Sequence, residues 1–143
     1  MNVVIDTNVF ISGLLNPDGE PARVLNLFLQ GKLILLHDNR IISEYEDVLK
    51  RPKFAFAPHQ VGPLLEFIRS EGVHVVADPS PVVFRDKDEQ AFYEVAFSGG
   101  ASYLITGNRH HYPPGKMVKT PLEFMRIYQR GKRARAPKQH DRS

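Results

Sequence analysis

The chain has 143 residues, with 19 Lys and Arg against 16 Asp and Glu, six His and no Cys. The length suits one domain of roughly 100–150 residues, and the missing cysteine excludes disulfide scaffolds, zinc ribbons and thiol nucleophiles. At 42% hydrophobic and 24% charged residues the composition excludes a fibrous or disordered chain. The apolar run after Met1 is too short for a signal peptide or a membrane span, so a cytoplasmic protein is expected.

The net charge of +3 is unevenly placed. Residues 130–143 carry six basic residues against Asp141, and the preceding 129 residues carry 13 basic and 15 acidic ones. The expectation is a slightly acidic domain over 1–129 and a basic, disordered extension over 130–143, because that segment has no apolar residue larger than alanine.

Met1 to Ile5 is a short β-branched run ending at Asp6 and reads as a buried strand. Asn16-Pro17-Asp18-Gly19 is a turn, Pro21 suits the first position of a helix, and Gly31 ends it. Leu33 to Leu36 is a second buried strand. Asp38 can cap the next helix, on which Ile41, Ile42, Tyr45, Val48 and Leu49 share a face and which Pro52 closes. Pro58 to Ser70 is helical by spacing, with a kink or division expected at Gly62-Pro63. Val73 to Val76 is a third strand, Glu89 to Ser98 a helix closed by Gly99-Gly100, and Tyr103 to Ile105 a fourth strand. Met117 to Lys119 reads as a short fifth strand. Thr120-Pro121-Leu122-Glu123 is a capping box that starts a helix running to about Gln129. Strands alternating with helices predict an α/β domain, three layers deep, around a mostly parallel sheet of about five strands.

Ligands of such sheets bind beyond the carboxyl ends of the strands. Asp6 follows the first strand and Asn108 the fourth, while Asp86-Lys87-Asp88-Glu89 opens the helix between them and the third strand. Glu44 lies beside Ile41 and Val48 on the surface of the second helix. Four oxygen-bearing groups from four segments can therefore meet at one edge. Clustered carboxylates repel unless a cation joins them, and magnesium or manganese suits an all-oxygen set. Taken singly, each residue also has a plain reading: Asp6 as a cap or turn residue, Asp86 to Glu89 as acids at a positive helix end, Glu44 as a solvated charge, Asn108 as a turn residue.

Five segments in order carry a resemblance. They are Val4-Ile5-Asp6-Thr7-Asn8-Val9-Phe10-Ile11-Ser12, Ser43-Glu44-Tyr45-Glu46-Asp47-Val48-Leu49 with Arg51-Pro52-Lys53-Phe54, Arg85 to Glu89 with Phe92 and Ala96, Tyr103 to Asn108, and Thr120 to Phe124. Over about residues 1–127 the chain resembles the PIN-domain family of metal-dependent ribonucleases, in the branch of toxins from toxin–antitoxin pairs. The resemblance implies a magnesium or manganese cofactor, an RNA substrate, an antitoxin protein as partner and self-association. By position it implies metal ligation and catalysis by Asp6, Glu44 and Glu89, with Asp88 as the alternative third acid and Asp86 a more distant one. It adds Asn108 in a place often held by an acid. Thr7 and Asn8 are expected to orient Asp6, and Ser12 to reach phosphate or cap a helix. Arg85 and Arg109 are expected to offset the acidic field, and His110 and His111 to contact phosphate or a base of the RNA or simply to keep the loop polar.

Overall fold

The structure, a computed structural model, describes residues 1–135. Residues 136–143, which hold most of the expected basic extension, lie outside the described part. Strand β1 (Asn2–Ile5) is followed by α1 (Thr7–Leu15), α2 (Glu20–Leu29), β2 (Ile34–His37), α3 (Asn39–Leu49) and α4 (Pro58–Glu71). Then come β3 (Val73–His74), α5 (Lys87–Ser98), β4 (Tyr103–Ile105), β5 (Val118–Lys119) and α6 (Pro121–Arg135).

The five strands form one parallel sheet in the order β3-β2-β1-β4-β5. Register aligns Val3 with Leu35 on one side and Ile5 with Ile105 on the other. Val3, Val4 and Ile5 are all fully buried, so both faces of the central strand are covered and the domain is a three-layer α/β/α sandwich. Helix α5 packs on β1, β2 and β4, while α6 packs on β4, β5 and α2. The chain leaves β1 toward β2 on one side and returns to β4 on the other. The switch in direction therefore falls at the carboxyl end of β1, where Asp6 stands.

Local chemistry explains most boundaries. The Asp38 side chain accepts from the Ile41 amide at 3.1 Å and starts α3. Thr120 and Glu123 form the reciprocal capping pair of α6, at 2.9 and 3.2 Å. Four boundaries differ from the sequence expectation. Helix α1 fills a stretch to which the sequence pattern assigned no element, with Asp6 as its N-cap. Helix α4 runs undivided through Gly62-Pro63, because both residues are exposed and the one backbone bond that proline removes is on the solvent side. Strand β3 keeps only two residues, both exposed, at the sheet edge. Helix α6 continues to Arg135, so the first six basic-segment residues are helical. No helix among the described residues is long and apolar enough to cross a membrane.

Two features fix the helices that bear acids. The Tyr45 hydroxyl donates to the Ile5 carbonyl, so α3 is tied to the last residue of β1. Arg40 bridges Asp38 Oδ2 at 2.7 Å and the buried Glu94 Oε1 of α5 at 2.7 Å, tying α3 to α5. Burial alone would raise the Glu94 carboxyl, but the Ser80 amide, Arg40 and Gln90 together bring it below its ordinary value.

Candidate functional site

Asp6 is buried at the end of β1 and its two oxygens are used differently. Oδ2 accepts from Thr106 Oγ1 and from the Tyr112 hydroxyl, both at 2.9 Å. Oδ1 has only the Asn8 amide, at 3.4 Å. Burial pushes the Asp6 carboxyl up by more than these hydrogen bonds lower it, and the charge of Asp86 adds to the rise. Burial, then the charge of Asp6, likewise hold the Tyr112 phenol above its usual value, so it stays a donor.

The N-terminal turn of α5 carries the other acids. Asp86 caps the helix, its Oδ1 accepting from the Asp88 amide at 2.8 Å and the Glu89 amide at 3.4 Å. Asp88 meets Glu44 of α3 carboxyl to carboxyl, a hydrogen bond that needs a shared proton. Burial first, then Asp88, push the Glu44 carboxyl up to about 7. Glu89 turns to the loop after β4, where its Oε2 lies 2.6 Å from His111 Nδ1. Burial raises the Glu89 carboxyl, His111 lowers it, and the charges of Asp86 and Asp6 raise it again.

The expected residues are thus gathered at one edge of the sheet, as pairs. Among the described residues no group of three or more His, Asp and Glu side chains is drawn together as a ready metal cage. Each acid has instead found another partner, Glu44 with Asp88 and Glu89 with His111. Asn108 enters through its amide, which donates to Thr106 Oγ1 at 3.0 Å and so supports the residue that holds Asp6.

Several expected roles are placed differently. Thr7 Oγ1 is buried with no partner, and the Asn8 side chain accepts from the Gly107 amide at 3.0 Å. Asn8 touches Asp6 through its backbone amide, and the shorter bonds come from Thr106 and Tyr112, which lie 100 and 106 residues away in sequence. Ser12 is exposed within α1, whose caps are Asp6 and Asn16, so it caps nothing. Arg109 is held by Glu123 of α6 at 2.7 Å and Arg85 remains exposed beside the acids. His110 is exposed, whereas His111 joins Glu89.

The donor set suits a hard divalent cation. It is all oxygen, and Asp6, Glu44 and Glu89 each hold a raised pKa that a bound cation would relieve. Glu44 gives this a pH dependence. Its raised carboxyl carries a proton below about pH 7, and a cation must displace that proton. Manganese affinity measured by calorimetry should therefore fall as pH drops from 8 to 6, by up to about tenfold per unit below 7. The linkage to folding has the matching sign. A folded carboxyl raised above its unfolded value stabilises at low pH, and that contribution fades as pH rises through about 7 in metal-free protein.

Comparison with known proteins agrees with the arrangement. The family profile for the PIN domain matches residues 2–110. An uncharacterized protein of Methanocaldococcus jannaschii is 33% identical over 112 residues, covering 76% of this chain and 72% of that protein. No solved structure matches. A parallel sheet with acids beyond its central strand, and a profile match over most of the chain, lead to one conclusion: the chain belongs to the PIN-domain family, whose members are generally nucleases.

Proposed function

We propose that this protein is a magnesium- or manganese-dependent endoribonuclease of the toxin type, hydrolysing RNA phosphodiester bonds. The observation that carries the reading is Asp6 at the end of β1, within electrostatic reach of Asp86 and Glu89, with Glu44 beside Asp88 on the neighbouring helices and Asp6, Glu44 and Glu89 all held above their ordinary pKa. Asp6 offers Oδ1, because Thr106 and Tyr112 occupy Oδ2. Glu44 and Glu89, or Asp88 in its place, supply further charge, and Asn108 a neutral oxygen. When bound, the cation supplies charge neutralisation at the phosphodiester and makes water acidic enough to serve as nucleophile.

The chain's own residues do the positioning. Tyr45 and Arg40 set α3 against β1 and α5, and the Thr106–Tyr112 pair aims Asp6. A cation held by Glu44 and Asp88 would take the place of the proton between them, and one held by Glu89 would compete with His111. Self-association and an antitoxin partner belong to the same reading and follow from the resemblance.

The purified protein should cleave an RNA oligonucleotide with manganese and not with EDTA, and cleavage should return when manganese is restored. RNA left intact under all three conditions would remove the assignment. A second reading, a PIN-domain RNA- or partner-binding module with little catalysis, is favoured by the neutral Asn108 and by acids that stand in pairs. Manganese titration separates the two. Saturable binding that depends on Asp6 supports the nuclease, and its absence supports the module.

A further inference from the structure

Beside the acids lies a cleft of about 520 Å³ between the 82–86 segment and the loop after β4. Val82, Val83 and Pro113 give it apolar walls, Arg85 a cation, and the Glu89–His111 pair its polar edge. Val83 is 91% exposed, an apolar side chain left in water next to a charged centre. Among the described residues Arg85 has no ion pair, whereas Arg109, the other arginine expected to offset the acidic field, is held by Glu123. The cleft is not separate from the acids. The Phe84 ring packs on Tyr112 at 5.9 Å, and Tyr112 holds Asp6.

A ligand for this cleft needs a compact apolar face for the valines and an anionic group within reach of Arg85. The volume is in the range of single-ligand clefts, roughly 300–1,000 Å³. Two turns of a partner's helix occupy roughly 850 Å³ and exceed it. A segment dense in carboxylates would set several charges against Asp86 and Glu89, whereas a single phosphate can lie at Arg85. A nucleotide meets both requirements, and a base must be unstacked to enter the cleft, which a single strand allows at the least cost.

We propose that this cleft is a nucleobase subsite: Val82, Val83 and Pro113 cover the face of one splayed base, and Arg85 pairs with its phosphate. The identity of the ligand as RNA rests on the ribonuclease reading, while the subsite is tested by binding alone. The probe is a fluorescein-labelled single-stranded RNA hexamer of mixed sequence, with six versions each bearing one abasic ribose, measured by anisotropy in EDTA. In the wild type one abasic position weakens binding fivefold or more. Val83→Ser, at a side chain too exposed to support the fold, weakens the parent hexamer about fivefold and shrinks that abasic penalty below twofold. The proposal is overturned if no saturable binding occurs, if every abasic hexamer binds within twofold of the parent, or if Val83→Ser keeps the full penalty. Cleavage of the parent hexamer with manganese is scored separately. Coupling between Val83 and one base without cleavage overturns the nuclease and supports the subsite, and cleavage without coupling does the reverse.

Discussion

Asp6→Asn should abolish cation-dependent RNA cleavage while leaving the protein at least as heat-stable as the wild type. The two effects have different causes. Substitution of residues that merely support a metal ligand commonly costs about 10–100-fold, so loss of a ligand's charge should cost about 100-fold or more. The amide oxygen of asparagine can still accept from Thr106 and Tyr112, so the two shorter hydrogen bonds survive and only the long one from the Asn8 amide is lost. What disappears is a buried charge whose pKa burial has already raised, facing the like charge of Asp86. Removing it relieves the folded state. Parallel cleavage assays and thermal melts decide the matter. Cleavage within threefold of the wild type would show that Asp6 is not needed for the chemistry, and a large fall in melting temperature would show that its charge serves the fold.

The same residue shows which parts of the molecule are legible in sequence. Val3, Val4 and Ile5 are apolar without alternation, which is the pattern of a strand buried on both faces, and that is how β1 lies. Asp38 and the Thr120–Glu123 pair are chemical signals spanning three residues, and both form as written. Helix α1 is harder to read. Asp6-Thr7-Asn8 has turn character as well as capping character, and Ser12-Gly13 weakens the helix pattern in its middle. Pro63 misleads for the opposite reason, since a proline signals a break only where its lost hydrogen bond cannot be replaced by water. Thr106 and Tyr112 reach Asp6 because β4 lies beside β1, a fact about strand order that no local spacing encodes. Asp6 and the Asp86 to Glu89 run are marked by their places at a strand end and a helix start, whereas Glu44, in the middle of α3, is named only through the family resemblance. The pairing of Glu44 with Asp88 depends on the separation of α3 from α5, which Arg40 and Glu94 set across 54 residues, and that of Glu89 with His111 on the loop after β4.

Phe10→Ala should cost about 3–5 kcal/mol of folding stability, the usual range for deleting a fully buried phenylalanine ring. The ring stands between α1, α2 and α3, with centroids 4.9 Å from Tyr45 and 6.4 Å from Phe28, both edge to face. A cavity there cannot close easily. One wall is Tyr45, whose hydroxyl is committed to the Ile5 carbonyl, and another is Phe28, itself fully buried. Urea unfolding gives the test, with Phe97→Ala as control. Phe97 is 73% exposed on α5, so its loss should change stability by less than about 0.5 kcal/mol. The variant also separates stability from positioning. Glu44 is the neighbour of Tyr45, so loosening the Tyr45 ring should shift α3 and weaken manganese binding under conditions where the variant is still folded. If stability falls while manganese affinity stays level, then Arg40 and its bond to Glu94 hold Glu44 in place without help from the core.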